Sequence, residues 1–420
     1  MNDFKLLSGR ISEAREWMQL PTIITRWLSI KVKQVNAKNE EFVEVIQQFQ
    51  KFIESDSSIL FLFQQMFNQV PTTEPYDRDS FGRPSVRDYM TMLRLLNSFL
   101  TEAPVFTSEY NPLACPIQTI LQWPMATPAG NAVFLMPSVN EHFRNALNAQ
   151  GEFLSSPASV YVISQEPGGW LSKEAIEAMG GFTDDFIHDP SKPHWGFTSW
   201  DDFFTRRFKD GARPIPVPYD PSIITSPCEG IVYNIAHKVL EHDLFWLKEN
   251  AYSLANMLAN HEFVPKFVGG TVYQSFLTIL TYHRWHSPVT GVIVDVDFIP
   301  GTYYSSSPTI GMRSLSLEAS QGYLTSVATR VNIYIQADAP HIGLLCLMCV
   351  GMAEVSSCEV TVKKGERVIQ GQEMGMFHFG GSTSCLIFRP DTKLRFAEIV
   401  KVGDMEHIVK LNEPIIYVEA

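Results

Sequence analysis

Residues 376–384 read Met376-Phe377-His378-Phe379-Gly380-Gly381-Ser382-Thr383-Ser384. Two glycines followed by a hydroxyl residue admit two readings. One is a tight turn, in which glycine takes positive φ and the hydroxyl satisfies nearby backbone groups. The other is self-cleavage of the chain. A serine hydroxyl can attack the carbonyl before it where the backbone is bent, and glycine tolerates that bend because it has no Cβ. The resulting ester eliminates to dehydroalanine, which hydrolyses to a pyruvoyl group. That ketone forms a Schiff base with an amine and accepts electrons, as pyridoxal does.

The second reading needs a base and a group to orient it. Tyr282-His283-Arg284-Trp285-His286-Ser287-Pro288 offers two histidines three residues apart. The spacing is open to a metal pair, though no third ligand stands out, and to an aromatic loop that simply buries its histidines. In the catalytic reading one imidazole deprotonates the serine and the other moves protons on a substrate, since histidine titrates near neutrality. Thr225-Ser226-Pro227-Cys228-Glu229-Gly230 supplies a carboxylate before glycine. That is a common surface turn, and equally the acid that fixes a catalytic imidazole.

Taken together, the Glu-Gly, Y-H-R-x-H-x-P and G-G-S-T segments resemble the phosphatidylserine decarboxylase family of self-cleaving, pyruvoyl-dependent proenzymes. Ser199-Trp200-Asp201-Asp202-Phe203-Phe204-Thr205-Arg206, Ala212-Arg213-Pro214-Ile215 and Lys364-Gly365-Glu366 leading into Gly375-Met376-Phe377 add to the likeness, which covers roughly 196–420. The resemblance implies that Ser382 becomes the pyruvoyl group and that Gly381–Ser382 is the scissile bond, giving chains 1–381 and 382–420 that stay associated. It implies His286 as the imidazole of the self-cleavage triad, His283 as the histidine serving decarboxylation, and Glu229 where the family has Asp in a Pro-x-Asp-Gly setting. No pyridoxal phosphate and no metal is expected. The first half is similar to that of the soluble fungal L-tryptophan decarboxylases, in Phe49-Gln50-Lys51-Phe52-Ile53-Glu54-Ser55-Asp56 and Gly169-Trp170-Leu171. This implies a free aromatic amino acid, L-tryptophan, as substrate, with Trp285, Phe377, His378 and Phe379 as pocket candidates. The alternative within the family is a phosphatidylserine decarboxylase working at a membrane surface.

These motifs must be carried by a chain of 420 residues with 45% hydrophobic content, enough for a sizeable core. The net charge of −12 argues against nucleic acid and against docking on anionic lipid. No apolar run is long enough to span a bilayer, and the N-terminus lacks a signal-peptide layout, so a soluble cytoplasmic protein is expected without a stable membrane anchor. A homo-oligomer is left open. Cys346 and Cys349 lie within an apolar run without a second pair, which reads as buried reduced thiols.

An α+β fold is expected, with a mostly helical N-terminal domain at 1–195 and a β-rich sandwich or half-barrel catalytic domain at 196–420. Phe42, Val45, Ile46, Phe49, Phe52 and Ile53 follow a helical period, as do Tyr89, Met92, Leu93, Leu96, Phe99 and Leu100 behind a Ser85–Asp88 capping box. Leu171–Met179 is a third helix, stopped by Gly180-Gly181. Ser199 and Asp202 have the spacing of a cap. His142, His188 and His194 read as structural or solvated. Beyond about 215 the period becomes 2: Val292, Val294, Val296 and Phe298 are expected on one strand face, and Val331, Ile333 and Ile335 on another.

Overall fold

The structure is a computed structural model that describes residues 22–38, 40–72, 86–107, 115–215, 220–243, 252–307, 320–354, 357–378 and 381–419. The fold is α+β. Helices α1 (Thr22–Lys38), α2 (Glu44–Ser55), α3 (Ser57–Asn68), α4 (Tyr89–Phe99), α5 (Pro116–Met125), α6 (Pro128–Phe134) and α7 (Pro137–Leu154) come first. Shorter helices α8 (Lys173–Ala178), α9 (Phe182–Asp185) and α10 (Trp200–Phe204) follow.

Local chemistry accounts for their ends. In α2 the buried residues Ile46, Phe49 and Ile53 recur at the helical period. Asp88 caps α4 by accepting the Thr91 N–H at 2.7 Å, while Ser85, expected to share that cap, lies outside the described residues. Ser172 caps α8, so that helix begins at Lys173, and Gly180 and Gly181 end it with φ of 41° and 74°. Ser199 caps α10 by accepting the Asp202 N–H at 3.1 Å, and Asp202 in return accepts the Thr198 N–H at 2.9 Å. His142 stacks on Phe49, and the Nδ1 atoms of His188 and His194 bond backbone carbonyls.

The strands are β1 (Ile223–Thr225), β2 (Gly230–His237), β3 (Thr271–Leu277), β4 (Arg284–His286), β5 (Gly291–Ile299), β6 (Arg330–Ala337) and β7 (Leu344–Met352). They continue with β8 (Ser357–Val360), β9 (Arg367–Val368), β10 (Glu373–His378), β11 (Gly381–Phe388), β12 (Lys393–Phe396), β13 (Ile408–Val409) and β14 (Pro414–Glu419). An eight-stranded antiparallel sheet has the order β13-β2-β3-β11-β7-β6-β5-β9. Two three-stranded sheets, β1-β14-β12 and β4-β10-β8, complete the β region.

Both faces of the large sheet are covered, which explains the unbroken apolar run of β7. Leu345, Leu347 and Cys349 enter a core shared with Trp170, Phe182, Trp200 and Phe204 of the short helices. Leu344, Cys346, Met348, Val350 and Met352 enter a second core on the other face. Cys346 and Cys349, three apart on a strand, therefore point to opposite faces and cannot act as a ligand pair. A third core joins α1–α7 and takes in Tyr304 and Ala353.

Strand β5 departs from expectation. A bulge between Ile293 and Asp295 inserts an extra residue, so the alternation slips. Ile293 is fully buried, Val294 and Val296 pack against opposite cores, and Phe298 is 59% exposed. On β6 the expected face holds: Val331, Ile333 and Ile335 are all buried in one core.

Candidate active site

Ser382 is the second residue of β11, a central strand whose backbone is paired on both sides. It stands opposite Leu277 of β3 and Gly351 of β7, with Gly381 opposite Met352. The preceding strand β10 belongs to a different sheet, so the chain changes sheets between His378 and Gly381. Phe379 and Gly380 lie outside the described residues.

The side-chain direction of Ser382 follows from alternation. Leu386 and Phe388 enter the core that holds Tyr282, Trp285, Phe204 and Phe377, whereas Cys385 and Ile387 enter the opposite one. Ser382, in step with Ser384, Leu386 and Phe388, faces the first. Its Oγ is buried and has no hydrogen-bond partner among the described residues. The two hydroxyls that follow are engaged. Thr383 Oγ1 donates to the Ser275 carbonyl at 2.8 Å, and Ser384 Oγ meets Ser275 Oγ at 2.9 Å and Cys228 Sγ at 3.1 Å. Leaving a buried hydroxyl unbonded costs roughly 1–3 kcal/mol, so its position calls for a reason.

The histidine segment is tied to this strand pair by backbone. The Phe377 N–H donates to the His283 carbonyl at 2.9 Å, and β4 pairs with β10. His283 is fully buried, with its ring 4.2 Å from that of Phe204. Its Nδ1 lies 3.0 Å from the Thr281 carbonyl, which fixes the proton on Nδ1 and the lone pair on Nε2. Arg206 braces the same turn, donating to the carbonyls of Leu280 at 2.7 Å and Thr281 at 3.0 Å. Burial brings the Arg206 guanidinium down to about 10, and it rests 4.6 Å above the Phe186 ring.

His286 donates from Nδ1 to the Gly371 carbonyl at 2.8 Å and accepts at Nε2 from the Tyr282 hydroxyl at 2.9 Å. Burial holds its pKa below the ordinary histidine value, against a partial upward pull from the Gly371 bond. The imidazole is therefore neutral. Glu229 sits two residues after Pro227, whose carbonyl takes the His286 N–H at 2.8 Å, so the acid–Gly turn docks on β4. Its carboxylate turns elsewhere: Oε1 accepts from Arg213 Nε at 2.5 Å and from the Leu411 N–H at 3.4 Å. Arg213 also pairs with Asp185 at 2.8 Å and stacks on Phe208.

The tertiary structure thus gathers the segments of Glu229, His283, His286 and Ser382 around one core. It does not join Glu229, His286 and Ser382 by direct side-chain hydrogen bonds. The physical reason is charge: Arg213 is a permanent cation, and a charge-assisted bond is about twice as strong as one to a neutral ring. Of the pocket candidates, Trp285 and Phe377 are fully buried with ring centroids 5.6 Å apart. His378 is held by Asp201 and Glu359. Sequence reasoning gave no role to Tyr282, Arg206, Arg213 or Asp201. Tyr282 lies four residues before His286, and the other three sit in the segments that carried the resemblance, which was the available signal.

The chain belongs to the phosphatidylserine decarboxylase family, whose models match residues 43–179 and 200–417. Members of that family use a covalent pyruvoyl group. Among its relatives are decarboxylase iboD of Amanita muscaria, 42% identical over 72% of this chain and 90% of the relative, and the L-tryptophan decarboxylase of Psilocybe cubensis, 33% identical over 94% and 91%. Phosphatidylserine decarboxylase proenzyme 3 of Schizosaccharomyces pombe is 31% identical over 58% of this chain and 24% of its own length.

Proposed function

We propose that this chain cleaves itself between Gly381 and Ser382 and then decarboxylates a free aromatic L-amino acid, L-tryptophan. The observation that carries the first half is the Ser382 hydroxyl, buried, unengaged among the described residues and directly after a glycine. Ser382 Oγ attacks the Gly381 carbonyl carbon, its proton passes to a base, and the C–N bond breaks to leave an ester and a free amine. Loss of the Cα proton then expels the Gly381 carboxylate. Water hydrolyses the resulting enamine, releasing ammonia and leaving a ketone at position 382.

His286 is the base nominated for the first proton. It is neutral, as a base must be, and it becomes available when Tyr282 releases Nε2. Glu229 supports it at one remove, through the docked turn and the buried charge beside Tyr282.

The core that Ser382 faces suits a pyruvoyl group: Trp285, Phe377 and Phe204, which belong to it, are buried and apolar. When present, that group supplies an electron-accepting ketone for the substrate amine. His283, whose Nε2 lone pair can take a proton from the incoming substrate ammonium, is the residue to deliver that proton to the substrate carbon that loses CO2. Trp285 and Phe377 are the walls for an indole. The tryptophan reading is supported by relatives in Psilocybe cubensis and Psilocybe cyanescens named for that activity, the latter 36% identical over 88% of this chain.

Intact mass tests processing: two chains, 1–381 and 382–420, with the smaller blocked by pyruvoyl, are expected. Edman sequencing that reads Ser-Thr-Ser from the small chain would refute pyruvoyl formation. Ser382→Ala should stay full length and inactive. Release of CO2 from tryptophan without lipid, and indifferent to added pyridoxal phosphate, is expected. Turnover of phosphatidylserine vesicles with none of tryptophan, tyrosine or phenylalanine would overturn the substrate.

A further inference from the structure

His378 stands three residues before Gly381, and its ring is gripped on both sides. Nδ1 lies 2.9 Å from Asp201 Oδ1 and 3.1 Å from Oδ2, and Nε2 lies 2.8 Å from Glu359 Oε2. With a carboxylate at each nitrogen, both ring nitrogens donate, which only the imidazolium does. Burial alone would depress its pKa, but the Asp201 hydrogen bond and charge, reinforced by Glu359, leave it raised.

The three partners come from three elements: Asp201 from α10, Glu359 from β8 and His378 from the end of β10. Asp201 shares its helix with Phe204, whose ring lies against His283. Thr205, immediately after that helix, accepts from Arg284 Nε at 2.8 Å. Helix α10 therefore grips the strand that leads into the Gly381–Ser382 bond with one residue and the histidine loop with the next turn.

We propose that His378 is a positioning residue for self-cleavage: by joining α10 and β8 to the end of β10, it sets the path of the chain into the scissile bond relative to the histidine loop. The proposal rests on cleavage at Gly381–Ser382. Misplacement of a reacting bond by about 1 Å can cost on the order of 100-fold in rate, so loss of the grip should slow cleavage by about 10- to 100-fold. Once the chain is cut, the ketone and His283 are in place, and turnover per ketone should be unchanged.

The test follows the uncut fraction of the full chain over time after synthesis, for the natural protein, His378→Ala, Asp201→Asn and His378→Ala/Asp201→Asn. The cut fraction of each is assayed for kcat and KM per phenylhydrazine-reactive ketone. Slowed cleavage in each single variant, a double variant no slower than either single one, and, for Asp201→Asn, kcat and KM per ketone within about twofold of the natural protein are expected. His378→Gln, which keeps one donor, should recover part of the rate. Cleavage of His378→Ala and Asp201→Asn at the natural rate would overturn the proposal, as would a raised KM with cleavage untouched, which marks a pocket residue. A natural chain that never cuts refutes the processing reading itself, a separate result. Melting of Ser382→Ala with and without His378→Ala checks folding, and should His378→Ala fail to fold, Asp201→Asn with Glu359→Gln decides the matter by the same readouts.

Discussion

Glu354 gives a prediction with a worked magnitude. It lies two residues beyond β7, and its Oε1 accepts the N–H groups of Ile117 at 2.6 Å and Gln118 at 3.1 Å, capping α5. Oε2 is buried beside the Cys115 side chain. Burial outweighs the cap bonds and pushes the carboxyl from its ordinary 4.5 up to about 7. The protonated form therefore stabilises the fold fully below about pH 4.5, and that contribution is lost as pH rises through about 7. Each tenfold difference in proton affinity is worth about 1.4 kcal/mol, so about 2 to 3 kcal/mol disappears between pH 5 and pH 8. Glu354→Gln keeps an acceptor for both N–H groups and removes the charge. Against a Ser382→Ala background, which keeps one intact species, its stability relative to the parent should rise by about 2 to 3 kcal/mol from pH 5 to pH 8. Urea unfolding at the two pH values measures this, because every other titrating group is common to both proteins. Parallel pH dependences, or a Gln variant that loses ground as pH rises, would refute the reasoning.

The histidines should separate. His286→Ala should block or greatly slow cleavage, and His283→Ala should cut but turn over poorly; both cutting normally would end that division of roles. Because burial lowers the His286 pKa, the natural cleavage rate should fall with acid only at lower pH than an ordinary histidine would impose, as seen by gel. Arg213→Met leaves the Glu229 carboxylate buried without its cation and should cost about 3 kcal/mol or more in denaturant unfolding. Gly375→Ala would put a Cβ 2.3 Å from the Glu359 carbonyl oxygen and 2.5 Å from the Trp285 ring, and should destabilise by at least about 2 kcal/mol in the same assay.

Much of the architecture is local and therefore legible in the residues. The period of α2, the Ser199–Asp202 cap and the Gly180-Gly181 stop depend on neighbours within a turn, and all three are present in the fold. The family and the segments of its site were readable for a related reason, since their residue types and order are a property of the chain. Tertiary structure decided what depends on partners distant in sequence. The β5 alternation slipped because a bulge forms only against β6. The faces of Cys346 and Cys349, and of Ser382, follow from which cores cover the large sheet. Glu229 went to Arg213 rather than to His286 because a cation 16 residues upstream folds beside it, and no spacing rule reports that competition. His378, an aromatic neighbour of glycines in the sequence, became a cation between two carboxylates, one of them 177 residues away. Charge pairing of this kind is set by where the backbone brings the groups together, and only the folded chain determines that.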